Sequence, residues 1–141
     1  MWEMVEDNLT ERIIACIIEV HRRLGPGFRE RVYQRALRIE LAKRRLAAES
    51  EKRVVIHYDG HEVGGHRIDL IVENRIILEV KTVDRLVKAH YAQVRSYLKA
   101  SALQTGLLVN FAGPRADYRR IEAAPDIRYP TTQAERSPPS P

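Results

Sequence analysis

Two short apolar runs that carry charge in their middles constrain this chain more than any other feature. They are Ile68-Asp69-Leu70-Ile71-Val72 and Ile77-Leu78-Glu79-Val80-Lys81, set apart by Glu73-Asn74-Arg75 and Ile76. Branched apolar residues bounded by a short polar loop predict two paired strands, Arg67 to Val72 and Ile76 to Lys81. Side chains alternate along a strand, so Glu79 and Lys81 share one face while Leu78 and Val80 point to the other, toward a core. A loop of residues 73–75 pairs Val72 with Ile76 and therefore Asp69 with Glu79. A shorter loop would set Asp69 against Leu78 and bury mismatched faces. Asn74 tolerates the left-handed backbone such a loop can need, which favours the first register. Two carboxylates and a lysine are then expected within a few ångströms of one another.

Facing carboxylates repel, so one of them titrates upward or a cation sits between them. A hard divalent ion takes carboxylate oxygens plus waters, and this pair supplies that minimum. The neighbouring lysine would favour an anionic phosphate or a nascent hydroxide near the ion. The plain alternative is a cross-strand ion pair on a solvated sheet face, and Glu-x-Lys alone in a strand is common enough to be that.

The remaining chain predicts what surrounds the hairpin. Asn8-Leu9-Thr10-Glu11 has the form of a capping box. Leu9, Ile13, Ile17, Val20 and Leu24 follow on one helical stripe, widened by Ile14 and Ile18. Gly25-Pro26-Gly27 ends that helix. A second helix is expected from about Arg29 to Arg45, burying Phe28, Val32, Ala36, Leu37 and Leu41 and turning Arg31, Arg35 and Arg38 to water. Lys52 to Tyr58 is a strand leading into an Asp59-Gly60 turn. A third helix fits Val87 to Ala100, Thr105 to Phe111 suits a buried strand, and Arg119 to Ala123 a short edge strand. The fold class expected is a mixed α/β sheet with helices packed against it.

Composition narrows the class further. The chain has 141 residues and 44% apolar residues, enough for one packed domain with little room for a second. Its longest apolar stretch, Ile13 to Ile18, is six residues against the roughly 18 that span a bilayer. The N-terminus is acidic where a secretory signal would be basic, so a cytoplasmic location is expected. A lone Cys16 permits neither an internal disulfide nor a cysteine zinc site, and reads as a small core hydrophobe. Residues 124–141 hold five of the seven prolines, and are expected to form a flexible tail docked at most through Ile127 and Tyr129. Residues 1–123 are expected to be a single domain, and to carry the whole +5 net charge, since Arg128 and Arg136 balance Asp126 and Glu135. That charge is a mild bias toward polyanions.

Gly27-Phe28-Arg29-Glu30-Arg31-Val32-Tyr33 matches G-x-x-E-x-x-Y, and the sequence resembles the GxxExxY family, a branch of the PD-(D/E)XK nuclease superfamily. The resemblance runs from about Leu9 to Phe111. It implies a restriction-endonuclease-like α-β-β-β-α-β core, a three-stranded antiparallel meander plus a further strand, flanked by helices. It also implies that Asp69, Glu79 and the Val80 carbonyl are ligands of Mg²⁺ or Mn²⁺. Lys81 would be the catalytic lysine, with Glu30 reaching the metal directly or through water. Gln93-Val94-Arg95-Ser96-Tyr97 is similar to the Q-x-x-x-Y motif of the exonuclease branch. Gln93 and Tyr97 share a helical face and would hold substrate together with Tyr33. A buried tyrosine bonded to a glutamine partner would leave the same trace, and Glu30 with Tyr33 could be a solvated glutamate above a core ring.

The five histidines show no metal spacing. His90 is the nearest to Gln93, and a histidine starting a helix is its default role. Arg22-Arg23 and Lys43-Arg44-Arg45 could meet phosphates, yet basic residues closing helices also suit the dipole. Glu19 is expected in solvent or paired with Arg22 or Arg23. The expected function is a Mg²⁺- or Mn²⁺-dependent nuclease, a hydrolase of phosphodiester bonds with DNA favoured over RNA. Its partner would be nucleic acid bound without sequence specificity, no membrane, with a homodimer or larger assembly left open. The alternatives are a non-catalytic module binding nucleic acid or protein on the same fold, and a purely structural role with arginines neutralising the acids.

Overall fold

The structure, a computed structural model, describes residues 2–124, with side chains from Asp7 onward. The expected tail, including Ile127 and Tyr129, lies outside the described residues. The elements run α1 (Trp2–Leu24), α2 (Glu30–Lys43), β1 (Ala48–Tyr58), β2 (His61–Val72), β3 (Ile76–Lys81), α3 (Lys88–Ser101), β4 (Thr105–Asn110) and β5 (Asp117–Glu122). This is the expected order, with the edge strand present as β5.

The strands form one mixed sheet in the order β1-β2-β3-β4-β5. β1, β2 and β3 are an antiparallel meander; β3 and β4 are parallel, joined by the α3 crossover; β5 returns antiparallel to β4. The parallel centre is covered on both faces. Every residue from Ile76 to Val80 and from Thr105 to Asn110 is buried. Strands of this kind read as continuous apolar runs, which is why alternation was weak there. α1 and α2 pack on one face, where Ile13, Ile17, Tyr33, Leu37 and Leu41 meet Leu70, Leu78, Val80 and Phe111. α3 packs on the other, where Val94, Tyr97 and Leu98 meet Ile68, Ile77 and Leu108.

Turn chemistry sets the registers. Asp59 and Gly60 both lie at positive φ (54° and 79°), the pattern a two-residue hairpin requires, and Tyr58 pairs with His61 across them. Glu73 and Asn74 are both left-handed at φ 55°, and Val72 pairs with Ile76 as the loop length predicts.

Four local expectations are corrected. α1 extends back to Trp2, so the Asn8–Glu11 capping box lies inside the helix, with Asn8 and Glu11 exposed on its surface and Leu9 buried on the expected stripe. Ile18 is 49% exposed and stands off the buried stripe. On α2 the buried face is Tyr33, Leu37, Glu40 and Leu41, while Phe28 (48%) and Val32 (38%) face outward. The tyrosine outcompetes them because its ring stacks on Phe111 at 4.4 Å. The hairpin strands are longer than expected, starting at Ala48 and His61. Cys16 is buried in the α1–α2 core as expected, and burial pushes its thiol up in pKa. At the molecule's far edge, Arg120 of β5 meets Asp7 of α1 at 2.7 Å.

Candidate active site

Asp69 marks a break in β2. Leu70 and Val72 belong to the α1–α2 core, whereas Ile68, two residues back, packs under α3. Side chains two apart on a regular strand share a face, so the strand turns over at Asp69. Across from it, between the pairs Ser50–Leu70 and Lys52–Ile68, Glu51 lies at φ 53°. Pairing of β2 with β3 stops at Leu70–Leu78, and the Asp69 side chain takes over the ladder: its Oδ2 accepts the Val80 N–H at 2.9 Å. The N–H and C=O of one strand residue point the same way. The Val80 carbonyl therefore turns toward the Asp69 side, while the next carbonyl, of Lys81, accepts the Phe111 N–H from β4.

Glu79 and Lys81 share a face as expected, with Lys81 Nζ 3.4 Å from Glu79 Oε2. Glu79 is only 5% exposed, and its other oxygen, Oε1, is buried without a hydrogen-bond partner. Burial, then the neighbouring charge of Asp69, pushes the Glu79 carboxyl up to about 8. Asp69 is raised too, by burial first; the Val80 N–H works against the shift and the Glu30 charge adds to it. Both carboxylates thus hold protons more tightly than in water, because burial and their mutual repulsion outweigh the nearby Lys81 charge.

Glu30, first residue of α2, accepts the Thr82 N–H at 3.3 Å and so braces the backbone just past Lys81. Its charge raises both Asp69 and Glu79. Even so, among the described residues no three His, Cys, Asp or Glu side chains converge closely enough to hold a metal ion between them.

On α3, Tyr97 is 5% exposed, and burial followed by the charges of Glu79 and Asp69 keeps its phenol protonated well above the usual range. Its ring lies 4.8 Å from that of His66, whose Nε2 meets Ser96 Oγ at 2.9 Å. Gln93 is half-buried one turn earlier. His90 Nδ1 accepts the Val87 N–H at 3.0 Å and caps the helix instead of lining the site. Gly106 lets α3 come this close, since a Cβ there would meet Val94 Cγ1 at 2.8 Å.

Tyr33 is placed differently from expectation. It is fully buried, donates its hydroxyl proton to the Gly25 carbonyl at 2.6 Å and accepts the Phe28 N–H at 3.2 Å. Those bonds close the Gly25–Phe28 turn that delivers Glu30, and nothing of the ring is left to meet a substrate. The G-x-x-E-x-x-Y spacing thus sets the tyrosine hydroxyl against the turn that precedes the glutamate. Of the basic pairs, Arg22 is bonded to Glu19 and Arg23 and Lys43 lie by Glu40.

Two participants were missed from sequence. Gln34, one turn after Glu30 on the same face of α2, lies close enough to Asp69 to hold its pKa down; its i+4 spacing was the available signal. Asn110 is 5% exposed, accepts the Val83 and Ala112 N–H groups at 3.1 Å and donates to the Val83 carbonyl at 2.8 Å. A polar residue ending an apolar strand level with Lys81 was the trace it left.

Comparison with known proteins agrees with this architecture. The crystal structure of SSO0001 superposes with TM-score 0.54 at 24% identity, over 66% of this chain and 49% of that one, so the chain spans about half its length. An alkaline exonuclease, LHK-Exo from Laribacter hongkongensis, is similar at TM-score 0.47 and 11% identity over 82% of each chain. The likeness to SSO0001, at 24% identity, is a likeness of fold. No curated protein matches. The family model for the PD-(D/E)XK nuclease superfamily matches residues 7–121, which contain every element from α2 to β4, both acids of the split hairpin and the lysine beside them. With the motif, strand order and site falling inside that one match, the chain belongs to the PD-(D/E)XK nuclease superfamily.

Proposed function

We propose that the chain is a divalent-metal-dependent nuclease that hydrolyses phosphodiester bonds, with DNA as its substrate in preference to RNA and its working unit in residues 1–123. The observation that carries this is the orphaned, buried Oε1 of Glu79 beside Asp69. A buried acceptor without a donor costs about 1–3 kcal/mol, more when charged, and a cation would offset that cost. The donor set suits a hard ion: Asp69, Glu79 and the Val80 carbonyl would hold Mg²⁺ or Mn²⁺, with Glu30 reaching it through water. Such an ion supplies Lewis-acid polarisation of a phosphoryl oxygen and a lowered pKa for bound water.

The chain's own residues then have definite tasks. Lys81 keeps its ammonium next to Glu79 and directs positive charge and N–H donors at the phosphate as negative charge builds in the transition state. Tyr97, held protonated, keeps a hydroxyl proton to donate, and with Gln93 it fixes the substrate backbone. Glu30, through the Thr82 N–H, and Asn110, through Val83, stiffen the segment after Lys81 so that its ammonium stays aimed. Tyr33 has the positioning role described above. The closer kinship, to the GxxExxY family, is part of the same reading.

A second reading has one observation in its favour: three acidic side chains do not converge, as a non-catalytic binding module would permit. The test separates the two. Labelled single-stranded DNA, duplex DNA and RNA are incubated with the protein and Mg²⁺ or Mn²⁺. We expect cleavage of DNA that is lost by at least about a hundredfold in Glu79→Ala and Lys81→Ala, the scale on which losing one transition-state donor acts. Cleavage that survives both substitutions sinks the assignment, and binding without cleavage by the wild type selects the module.

A further inference from the structure

We propose that Arg31 and Arg67, gathered on Glu51, form a subsite for a backbone phosphate of the nucleic-acid strand next to the Asp69–Glu79 pair; the proposal rests on the nuclease reading above. Arg31 follows Glu30 on α2, and Arg67 precedes Asp69 by two residues on β2, about 6–7 Å along the strand. The elements that supply Glu30 and Asp69 thus also supply these two arginines. Both guanidinium groups reach the same carboxylate: Arg31 Nη2 lies 3.6 Å from Glu51 Oε2, and Arg67 Nη1 3.6 Å from Glu51 Oε1.

Two features mark this cluster as a holder of anions and not a simple surface ion pair. Its charge does not close, because two guanidinium groups share one carboxylate and leave a positive excess. And its contacts are loose: at 3.6 Å neither arginine makes a hydrogen bond to Glu51, so both forks keep their N–H donors for a phosphate. Exposed pairs of this length contribute little to stability, so a phosphodiester can displace them at little cost. Arg31 and Arg67 are 64% and 70% exposed, which leaves them open to a ligand.

Glu51 acts as a placeholder. It occupies a left-handed backbone position opposite Asp69, a conformation that a residue with a side chain adopts at a cost. There it draws together two cations that would otherwise repel, and it yields them when a strand arrives. A polyanion approaching Asp69, Glu79 and Glu30 meets repulsion that an ion at the centre relieves only locally. The phosphate beside the scissile one needs cations of its own, and this pair offers them.

The test is binding of fluorescent DNA oligonucleotides to the full chain, with Ca²⁺ in place of Mg²⁺, across a salt series. Each phosphate contact contributes about 0.7–0.9 to the slope of log affinity against log salt. We expect Arg31→Gln and Arg67→Gln each to weaken binding and flatten the slope by about that amount. Glu51→Gln should tighten binding several-fold, a gain that damage to the fold would not produce. Arg120→Gln, across the molecule, should leave the slope unchanged. Slopes unaltered in both arginine variants, with the wild type still binding, overturn the subsite and leave the nuclease reading intact. A wild type that neither binds nor cuts any oligonucleotide removes the nuclease reading, and the subsite with it.

Discussion

Glu79 is the residue on which the chemistry and the stability of this protein pull in opposite directions. Its carboxyl titrates near 8 when buried, against about 4.5 when free, so the folded chain holds a proton that the unfolded chain has already released. Below about pH 4.5 both states carry the proton and the folded state has its full advantage. As the pH rises from there to about 8, unfolding releases a proton and stability falls; above about 8 the curve levels. Asp69, shifted the same way, adds to the slope. Denaturant titrations of the metal-free protein should therefore show stability declining across that window. Glu79→Gln should remove much of the decline and leave the protein more stable above pH 8 by about 1 kcal/mol or more, one pKa unit being worth about 1.4, while cleavage is lost. A variant that tracks the wild-type curve would show that the carboxyl is not gathered with its neighbour as described. The sequence made these residues legible because two charges in the middle of apolar strands are hard to explain as surface. It did not make Tyr33 legible. A ring that closes a turn and one that touches substrate leave the same letter, and only its two hydroxyl bonds tell them apart.

Among the elements, the split between β2 and β3 and the close seat of α3 do most to build the site. Gly106 sits where a Cβ would fall 2.8 Å from Val94 Cγ1, inside any real contact distance. Gly106→Ala should cost about 1–3 kcal/mol in chemical denaturation, the usual penalty of overpacking, and shift Tyr97 relative to Glu79. Adding Val94→Ala should recover part of that stability; if it recovers none, the clash lies elsewhere. The order of elements was readable from the change of period between helices and strands, and the register from the length and chemistry of the 73–75 loop. The start of α1 was not. A local capping motif at residues 8–11 pointed to a helix end, but burial of Leu9 and Thr10 against the core outweighed it. The turnover of β2 at Asp69 was equally hidden. It shows only in which core Ile68 and Leu70 join, a tertiary fact with no signature in the alternation of the strand.

For the whole molecule, a divalent ion should behave as a ligand of the folded state alone. At a hundredfold excess over its Kd it should add about 2.7 kcal/mol, with a larger gain at pH 8.5 than at pH 6, because protons compete with it for Asp69 and Glu79. Thermal melts with and without Mg²⁺ check this, and a chain indifferent to the ion at both pH values would speak against a cation at the hairpin. Among the described residues no helix is long and apolar enough to cross a membrane. The ion pair between Asp7 and Arg120 links the first helix to the last strand across 113 positions of sequence. The first helix and the last strand among the described residues thus lie side by side at this pair, and a chain can be rewired where such segments meet. A short peptide joining them, with new termini cut at the Asp59-Gly60 hairpin tip, should yield a circular permutant with the same circular dichroism and the same cleavage. The order in which ribosomes deliver these pieces would then be one choice among several that the finished architecture accepts.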